Sequence, residues 1–485
     1  MRLRTLLILL VLVLGLGAFI WFYERELPSS EERVEQSKKV MAVKKDEVRK
    51  VALETPAGKV TFERVSHPEE EKKKDEKKQD EKKEGEEAPG EEALEQPESE
   101  WKITAPLQAR ADAFAVDGLL ESLTNLEKSR TLEDVDRKDV GLDKPRATVR
   151  IETEDGTKVL QLGAAVPTGG SLIAGLEGEN EAYVVSDTIW SQIDREPGSW
   201  RDRQLFRASR DAIARIALSA PGGQRIVLAE QGGRFRIESP FADRADKTLV
   251  DDLYADLSGL TAVQFVDKPE LAPAAMGLQP PQRVVEVTFK NGDPLRIELG
   301  APTSAAPEPP SDPSAPPPPA SIYARVGPQL IETQTRLPQT AAHPPADWRA
   351  HGLSAFEVYD IEGTTIRDGK GPLRLTRAGT DWKRGEETIS YMPVSDFLFA
   401  LTGAEADRLL STQEAGALGQ PVLTVELDAK QAGKETLTLY PARADGAPAR
   451  VSGRDVVLLL PKDKLQEILA RLGDVRGAKK LAPHP

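Results

Sequence analysis

The sequence DAIARIALSAPGG, residues 211–223, opens the clearest copy of a pattern that recurs along this chain. DEVRKVALETPAG, residues 46–58, matches it without a gap, with aspartate, two Val or Ile positions, Ala-Leu, proline and glycine at the same offsets. A weaker third copy, SAFEVYDIEG, keeps apolar residues at Phe356, Tyr359 and Ile361. Self-similarity at fixed offsets is typical of repeated supersecondary units. The sequence therefore predicts about three tandem copies of one unit.

The first half of each unit reads as three strands followed by a helix. Apolar residues alternate on both sides of a Pro-Ala-Gly turn in residues 48–65, which predicts a hairpin, and WKITAP (101–106) or FRIESP (235–240) supplies a third strand. Asp112 and Asp246 each stand directly before a stripe of apolar residues at helical spacing. We expect both aspartates to cap the helix N-terminus, and a pair of catalytic carboxylates is the alternative.

The second half of each unit reads as three more strands. A Gly-Leu-x-x-Pro segment leads into two strands that turn at Asp155-Gly156 or Asn291-Gly292, which are strong hairpin signals, and end in Leu-Gly. Tyr183-Val184-Val185 predicts the last strand, with Ile322-Tyr323-Ala324 as its counterpart. The order strand-strand-strand-helix-strand-strand-strand predicts an α+β fold, in which a mostly antiparallel sheet packs one helix against a face.

Composition excludes several classes of function. The net charge of −14 argues against nucleic-acid binding, which needs a basic face. The chain has no cysteine and four histidines, so disulfides, thiolate metal sites and thiol nucleophiles are excluded. Gly163–Gly170 lacks the spacing of a phosphate-binding loop. His343 and His351 with Asp347 form a weak metal candidate, because a site needs three or four converging ligands. The sequence thus predicts no enzyme, no metal and no cofactor.

The N-terminus predicts a membrane anchor. Residues 5–23, TLLILLVLVLGLGAFIWFY, contain no charge and at about 1.5 Å per residue nearly cross a ~30 Å hydrocarbon layer. Arg2 and Arg4 precede the span, so residues 1–4 are expected in the cytoplasm and the bulk of the chain outside it, at the inner membrane and on its periplasmic side. A cleaved signal peptide is the alternative, although no small-residue cleavage site closes the apolar run.

The remaining boundaries follow from the repeats and from two tracts of biased composition. A solvated spacer is predicted at residues 24–45, and a short tail at 473–485. Unit 1 is expected at 46–200 with a charged, disordered insertion at 67–100, unit 2 at 201–347 with a proline-rich loop at 301–320, and a degenerate unit 3 at 348–472. Trp200-Arg201 and Trp348-Arg349 recur near the ends of units 1 and 2, where we expect tryptophan to anchor the linker and arginine to cover it or pair with a carboxylate.

These motifs resemble a known family. One N-terminal span followed by units with D-x-[VI]-x-x-[VI]-x-L, W/F-x-I-x-x-P, an Ala-Asp before a Leu-rich helix, G-L-x-x-P and L-x-L-G is similar to the bacterial domain of unknown function 4340 family. The resemblance covers most of residues 45–472. Members are often encoded beside ABC-type transport components of the gliding-motility kind, which implies an accessory role at the outer face of the membrane. The family offers no catalytic residues.

The sequence therefore predicts an anchored extracytoplasmic binding or scaffold protein, with membrane lipid and transport or envelope proteins as partners. Sheet edges and the grooves between units are the expected contact surfaces. Two alternatives remain. The chain could be a cell-envelope enzyme acting on a polymer with Asp or Glu as acid and base, or it could be a purely structural spacer.

Overall fold

A computed structural model describes residues 36–65, 100–303, 321–430 and 433–479 of the chain. The chain divides into two compact units, residues 1–203 and residues 204–485. In the described residues the first unit contains one nine-stranded sheet and the second unit contains two. Every strand pair in the three sheets is antiparallel. The predicted α+β class and the repetition of sheets are confirmed.

The first sheet has the strand order β4-β3-β2-β1-β6-β7-β8-β9-β5. Its elements are β1 (Val48–Thr55), β2 (Gly58–Val65), β3 (Glu100–Ala105), β4 (Ala109–Arg110), α1 (Ala113–Thr124), β5 (Arg130–Leu132), β6 (Ala147–Thr153), β7 (Gly156–Ala165), β8 (Ser171–Leu176), β9 (Ala182–Ser186) and α2 (Thr188–Ile193).

The second sheet repeats this order as β13-β12-β11-β10-β15-β16-β17-β18-β14. Its elements are β10 (Ile213–Ser219), β11 (Ile226–Gln231), β12 (Arg234–Ser239), β13 (Asp243–Arg244), α3 (Lys247–Ser258), β14 (Gln264–Phe265), β15 (Arg283–Phe289), β16 (Leu295–Pro302), β17 (Ser321–Val326), β18 (Gln329–Gln334) and α4 (Leu337–Thr340).

The third sheet repeats it once more as β22-β21-β20-β19-β24-β25-β26-β27-β23. Its elements are β19 (Ile361–Arg367), β20 (Leu373–Ala378), β21 (Asp381–Arg384), β22 (Glu387–Ile389), α5 (Tyr391–Thr402), β23 (Arg408–Ser411), α6 (Thr412–Ala415), β24 (Leu423–Ala429), β25 (Gly433–Leu439), β26 (Ala447–Val451), β27 (Val456–Leu460) and α7 (Lys462–Gly477).

Each sheet encloses its own hydrophobic core around the long helix that follows its first edge strand, and α7 adds a second long helix to the third core. The strand before the helix and the strand after it are the two edges of the sheet. Nine flat strands would span about 38 Å, whereas a 12-residue helix is about 18 Å long. The short connections at both helix ends therefore favour a sheet that curls over the helix and buries one face of every long strand.

The two predicted helix caps are confirmed. The Asp112 carboxylate accepts a hydrogen bond from the backbone N–H of Ala115 at 3.1 Å, and Asp246 accepts one from Leu249 at 2.9 Å. The corresponding residue of the third repeat, Ser390, makes no such bond. Because each carboxylate satisfies a helix N–H that lacks an intrahelical partner, capping accounts for both aspartates.

The Leu-Gly motif has a steric cause. A Cβ on Gly163 would lie 2.3 Å from the carbonyl oxygen of Val140, and one on Gly300 would lie 2.3 Å from that of Met276. In both repeats the chain before Gly-Leu-x-x-Pro crosses directly over the end of a strand and bonds to it, as in the Ala301 N–H to Met276 oxygen contact of 2.8 Å. Only glycine leaves room for this crossing.

The predicted number of strands is wrong, since each sheet has nine strands rather than six. Two of the missed strands are the edges of the sheet, such as β4 and β5, which at two and three residues are too short to show an alternating pattern. The third is the β8 type, in which four consecutive residues are buried. Its counterpart in the second sheet is β17, so Tyr323 corresponds to β8, and the true counterpart of the Tyr183 strand is β18.

The predicted alignment of the third repeat is also wrong. Ile361 begins β19 and pairs with Ala429, as Ile213 begins β10 and pairs with Phe289. Ile361 therefore corresponds to Ile213. The sequence pattern had aligned Phe356 with Ile213, five residues too early. Tyr359 consequently lies outside the strand, in a single 3₁₀ turn at Val358–Asp360, and is 73% exposed.

The recurring tryptophans act as predicted. Trp200 and Trp348 are fully buried in the cores of the first and second sheets. The carbonyl oxygen of Trp348 accepts a hydrogen bond from the Asp246 N–H at 2.7 Å. Arg349 stacks 3.6 Å from the ring centroid of Phe241, so the aromatic-basic pair anchors the chain as it leaves the second sheet.

Both ends of the described chain differ from expectation. Val40 and Met41 are buried in the first core, so the end of the stretch predicted as a solvated spacer belongs to the fold. The last helix, α7, continues to Gly477 with Val475 buried, beyond the predicted limit at residue 472. In the described part of the chain no helix is long and apolar enough to cross a membrane. The predicted span at 5–23, and nearly all of both biased tracts, lie outside the described residues.

Candidate functional site in the second unit

A group of buried charges joins the second and third sheets. Asp243, on the edge strand β13, and Arg454, in the turn between β26 and β27, are each 1% exposed at the side chain. Arg454 Nε lies 2.7 Å from Asp243 Oδ1, and its Nη2 lies 3.1 Å from Oδ2, so the ion pair is bidentate. Arg349 Nη1 approaches the same carboxylate at 3.5 Å. A carboxylate this buried is retained because two guanidinium groups pair with it.

A second ion pair lies beside the first. Arg244 Nη1 contacts Glu435 Oε1 at 3.0 Å, and the other oxygen of Glu435 accepts hydrogen bonds from Ser354 Oγ and the Ala355 N–H. Burial lowers the pKa of Arg244 to about 10, while Glu435 acts in the opposite direction, so the guanidinium stays charged at neutral pH. We call Asp243, Arg244, Arg349, Glu435 and Arg454 the charged joint.

The charged joint has the contacts of a structural cluster of ion pairs. Each of its carboxylates is already occupied by guanidinium, hydroxyl or backbone donors, so none is free to abstract a proton. Removing one charge of such a buried pair leaves the other without compensation. The joint therefore ties the second sheet of this unit to the third, and a cleft lies between these two sheets.

The cleft encloses about 800 Å³. We call it the joint cleft, and its lining residues are Gly232, Arg234, Tyr359, Asp360, Glu362, Thr376, Arg377, Gly379 and Lys430. The β11–β12 turn brings Gly232 and Arg234 from the second sheet, and the third sheet supplies the rest. Glycines with positive φ close two of these turns, at Gly232 (62°) and Gly379 (64°). The wall is thus made of tight turns that project long side chains.

Two of the three cations in the joint cleft are paired. Arg234 Nη2 lies 3.3 Å from Asp360 Oδ2, and Lys430 Nζ lies 3.2 Å from Glu362 Oε1. Arg377 Nη1 donates to the backbone oxygen of Tyr359 at 2.9 Å. Among the described residues Arg377 has no carboxylate within ion-pair distance. The cleft therefore offers mixed charge with one guanidinium in excess.

Tyr359 stands on the rim of the joint cleft because of its local backbone. Glu357 and Asp360 form a capping box around the 3₁₀ turn, in which the Glu357 side chain accepts from the Asp360 N–H and the Asp360 carboxylate from the Glu357 N–H. That turn directs the Tyr359 ring into solvent rather than into the core. Sequence reasoning missed this residue because it read tyrosine as a core position of a strand. The signal that could have found it was the pairing of Glu357 with Asp360 three residues later.

The other residues singled out by sequence do not meet in a site. Asp112 and Asp246 cap separate helices. His343 Nδ1 lies 3.1 Å from Asp347, whereas His351 Nδ1 contacts the carbonyl oxygen of Ala406 at 2.8 Å and must donate to it. In the ranges that the structure describes, no three histidine, aspartate or glutamate side chains come together as metal ligands. The joint cleft, by its lining, offers ion pairs and a phenol but no histidine, serine or cysteine.

The sheet edges are small contact surfaces. β4 and β13 have two residues each, and the chain's own linker continues their pairing through bridges from Ala111 to Arg201 and from Ala245 to Arg349. Short, covered edges resist the addition of a foreign strand. In the second unit the joint cleft is therefore the stronger candidate surface.

Comparison with known families matches residues 101–281 to the family described as Domain of unknown function (DUF4340). The matched range contains both helix caps and both copies of Gly-Leu-x-x-Pro. The chain resembles this family over these residues. No curated protein and no solved structure gives a significant match.

Proposed function

We propose that this chain is a membrane-anchored, extracytoplasmic binding or scaffold protein without catalytic activity, acting as an accessory subunit of an ABC-type transport or envelope system. The observation that carries the proposal is the charged joint, which fixes two copies of one sheet around an open, polar cleft. A fixed arrangement of repeated sheets suits the presentation of a surface better than a cycle of chemical steps. The uncharged run at residues 5–23 supports the anchored location.

The proposed absence of catalysis rests on the chemistry of the candidate residues. The carboxylates that an envelope enzyme would need, Asp112 and Asp246, are engaged in capping backbone N–H groups. The residues lining the joint cleft include no histidine that could exchange protons at neutral pH.

The test is capture of partners from intact membranes. The full chain carrying a C-terminal tag is crosslinked in cells, extracted in detergent, purified and analysed by mass spectrometry. We expect enrichment of membrane-transport subunits relative to Asp243→Asn, which loosens the charged joint, with Arg367→Ala as a control at an exposed ion pair. Equal recovery of abundant membrane proteins in all three samples would contradict the proposal.

The proposed orientation has its own measurement. Alkaline phosphatase fused after residue 479 folds only outside the cytoplasm, so the fusion should be active if the bulk of the chain is exported. A fluorescent protein that matures only in the cytoplasm serves as the opposite control. An inactive phosphatase with a bright fluorescent fusion would place the C-terminus in the cytoplasm and end the proposal.

A further inference from the structure

We propose that the joint cleft binds a saccharide that carries a carboxylate. This inference rests on the proposed binding function and names the class of ligand that one surface of the protein takes. The volume of the joint cleft, about 800 Å³, falls in the usual range of small-ligand sites, about 300–1,000 Å³. The class of ligand follows from which charged side chains of the lining are in ion pairs and which are not.

The lining disfavours apolar ligands and phosphate groups. Drug-like and lipid ligands fit sites walled mainly by aliphatic and aromatic side chains, whereas this cleft is walled mainly by charged and small residues. A phosphate dianion favours several unpaired cations. Here Arg234 and Lys430 are held by Asp360 and Glu362, whose negative charges would repel a dianion.

Sugar hydroxyl groups match the paired charges. A hydroxyl both donates and accepts hydrogen bonds, so neighbouring hydroxyls can donate to a carboxylate and accept from a guanidinium at the same time. The Arg234–Asp360 and Lys430–Glu362 pairs each present one donor group beside one acceptor group. Such pairs bind a polyhydroxylated ring without having to separate, and this avoids leaving either charge uncompensated.

Tyr359 and Arg377 complete the match. The Tyr359 ring is 73% exposed and offers a flat apolar face with a polar tip, which suits the C–H face and the hydroxyl rim of a sugar ring. Arg377 donates to the backbone oxygen of Tyr359, so its guanidinium is held against the turn that carries the ring, and both residues line the same cleft. Arg377 keeps further N–H donors and has no carboxylate partner in the described chain. A ligand carboxylate beside the stacked ring supplies that partner.

The test is calorimetric titration of the full chain in detergent micelles with four probes. An oligogalacturonate is the acidic saccharide, a chito-oligosaccharide is the neutral one, hexaglutamate is the acidic peptide and inorganic phosphate is the bare anion. We expect oligogalacturonate to bind most tightly and chito-oligosaccharide about tenfold or more weakly, because only the first pairs with Arg377. Hexaglutamate and phosphate should not compete at equal concentration.

Variants assign the binding to this cleft. Arg377→Gln should weaken oligogalacturonate about tenfold to a hundredfold and leave the chito-oligosaccharide unchanged, since a charge-assisted bond is lost. Tyr359→Ala should weaken both saccharides. Arg450→Gln, at an exposed arginine of β26, and Phe399→Ala, at an exposed aromatic of α5, are matched controls that should change neither.

Unchanged thermal melting shows that each variant is folded, and Arg377→Met and Tyr359→Leu, which also remove the charge and the ring, replace any variant that is not. No binding of oligogalacturonate at millimolar concentration overturns the inference, as does equal binding of hexaglutamate, competition by phosphate, or insensitivity to both Arg377→Gln and Tyr359→Ala. Capture of transport subunits from membranes is a separate readout. If capture persists while saccharide binding fails, only the ligand assignment is lost.

Discussion

Replacing Asp243 by asparagine should loosen the second unit at the charged joint. The substitution keeps the size of the side chain but removes the charge that pairs with Arg454, and both side chains are 1% exposed. Breaking a buried ion pair from one side costs about 3–5 kcal/mol, because the remaining ion stays buried without compensation. At about 1.4 kcal/mol per factor of ten, this corresponds to roughly a hundredfold to a few thousandfold change in an opening equilibrium.

Native-state hydrogen exchange followed by mass spectrometry measures that opening directly. Amides of β13 and of the linker at residues 348–353 should exchange faster in Asp243→Asn by the factor given above. Amides of α1, in the first unit, provide an internal reference that should not change. Arg367→Ala breaks an exposed pair with Glu426, whose side chains are 52% and 45% exposed, and should leave exchange unaffected.

A double variant tests whether the faster exchange comes from the unpaired charge or from the changed shape of the side chain. Asp243→Asn combined with Arg454→Met removes both charges of the pair and should recover part of the protection, because neither charge is then left buried without its partner. Exchange in β13 that rises less than fivefold in Asp243→Asn would refute the reasoning. So would a double variant that exchanges faster than the product of the single effects.

Three further substitutions test the local arguments. Asp246→Ala should cost about 1 kcal/mol of unfolding free energy and Asp246→Asn little, because asparagine caps helices as well as aspartate does; equal losses in denaturant titrations would contradict capping. Gly300→Ala should destabilise the chain because a Cβ meets a carbonyl oxygen at 2.3 Å, whereas Gly473→Ala, in open space on α7, should be neutral or stabilise by about 0.5–1 kcal/mol in the same titrations. Burial alone would raise the pKa of Asp368, but hydrogen bonds from Arg476 and from the backbone lower it. The ionised carboxylate therefore stabilises the end of α7 at every pH above the unfolded pKa of an aspartate, about 3.9. Asp368→Asn should therefore speed amide exchange in residues 470–477 at neutral pH. The difference in exchange rate from the unchanged chain should shrink as pH falls below about 3.9 and through the lowered folded pKa. A difference that persists at pH 2 would exclude this ion pair as its cause.

Local periodicity was sufficient to predict the repeats. The alternation around Asp155-Gly156, the Leu-rich stripe after Asp112 and the Leu-Gly ending of a strand are all set by residues within a few positions of one another. The capped helices and the long strands of the first two repeats, apart from the β8 type, were predicted correctly for that reason. Edge strands of two or three residues were missed because a segment that short has no period.

The prediction for the third repeat was wrong because its first strand was aligned in the wrong register. Its first strand has Gly363 and Thr364 where the second repeat has Arg215 and Ile216, so the pattern best matched a segment five residues too early. That shift turned Tyr359, an exposed residue on the rim of the joint cleft, into a supposed core residue. A register shift moves side chains between faces, and only the pairing of β19 with β24 fixed it.

By itself, therefore, the sequence determined the repeated unit, its helix caps and the glycines that its crossings require, since each depends on neighbours along the chain. It could not determine which of 79 acidic residues would pair with which of 65 basic ones. Asp243 and Arg454 are 211 residues apart, and nothing local marks them as partners. Only the tertiary structure brought them together, because packing one sheet against the next decides which charges lose their water and must find each other.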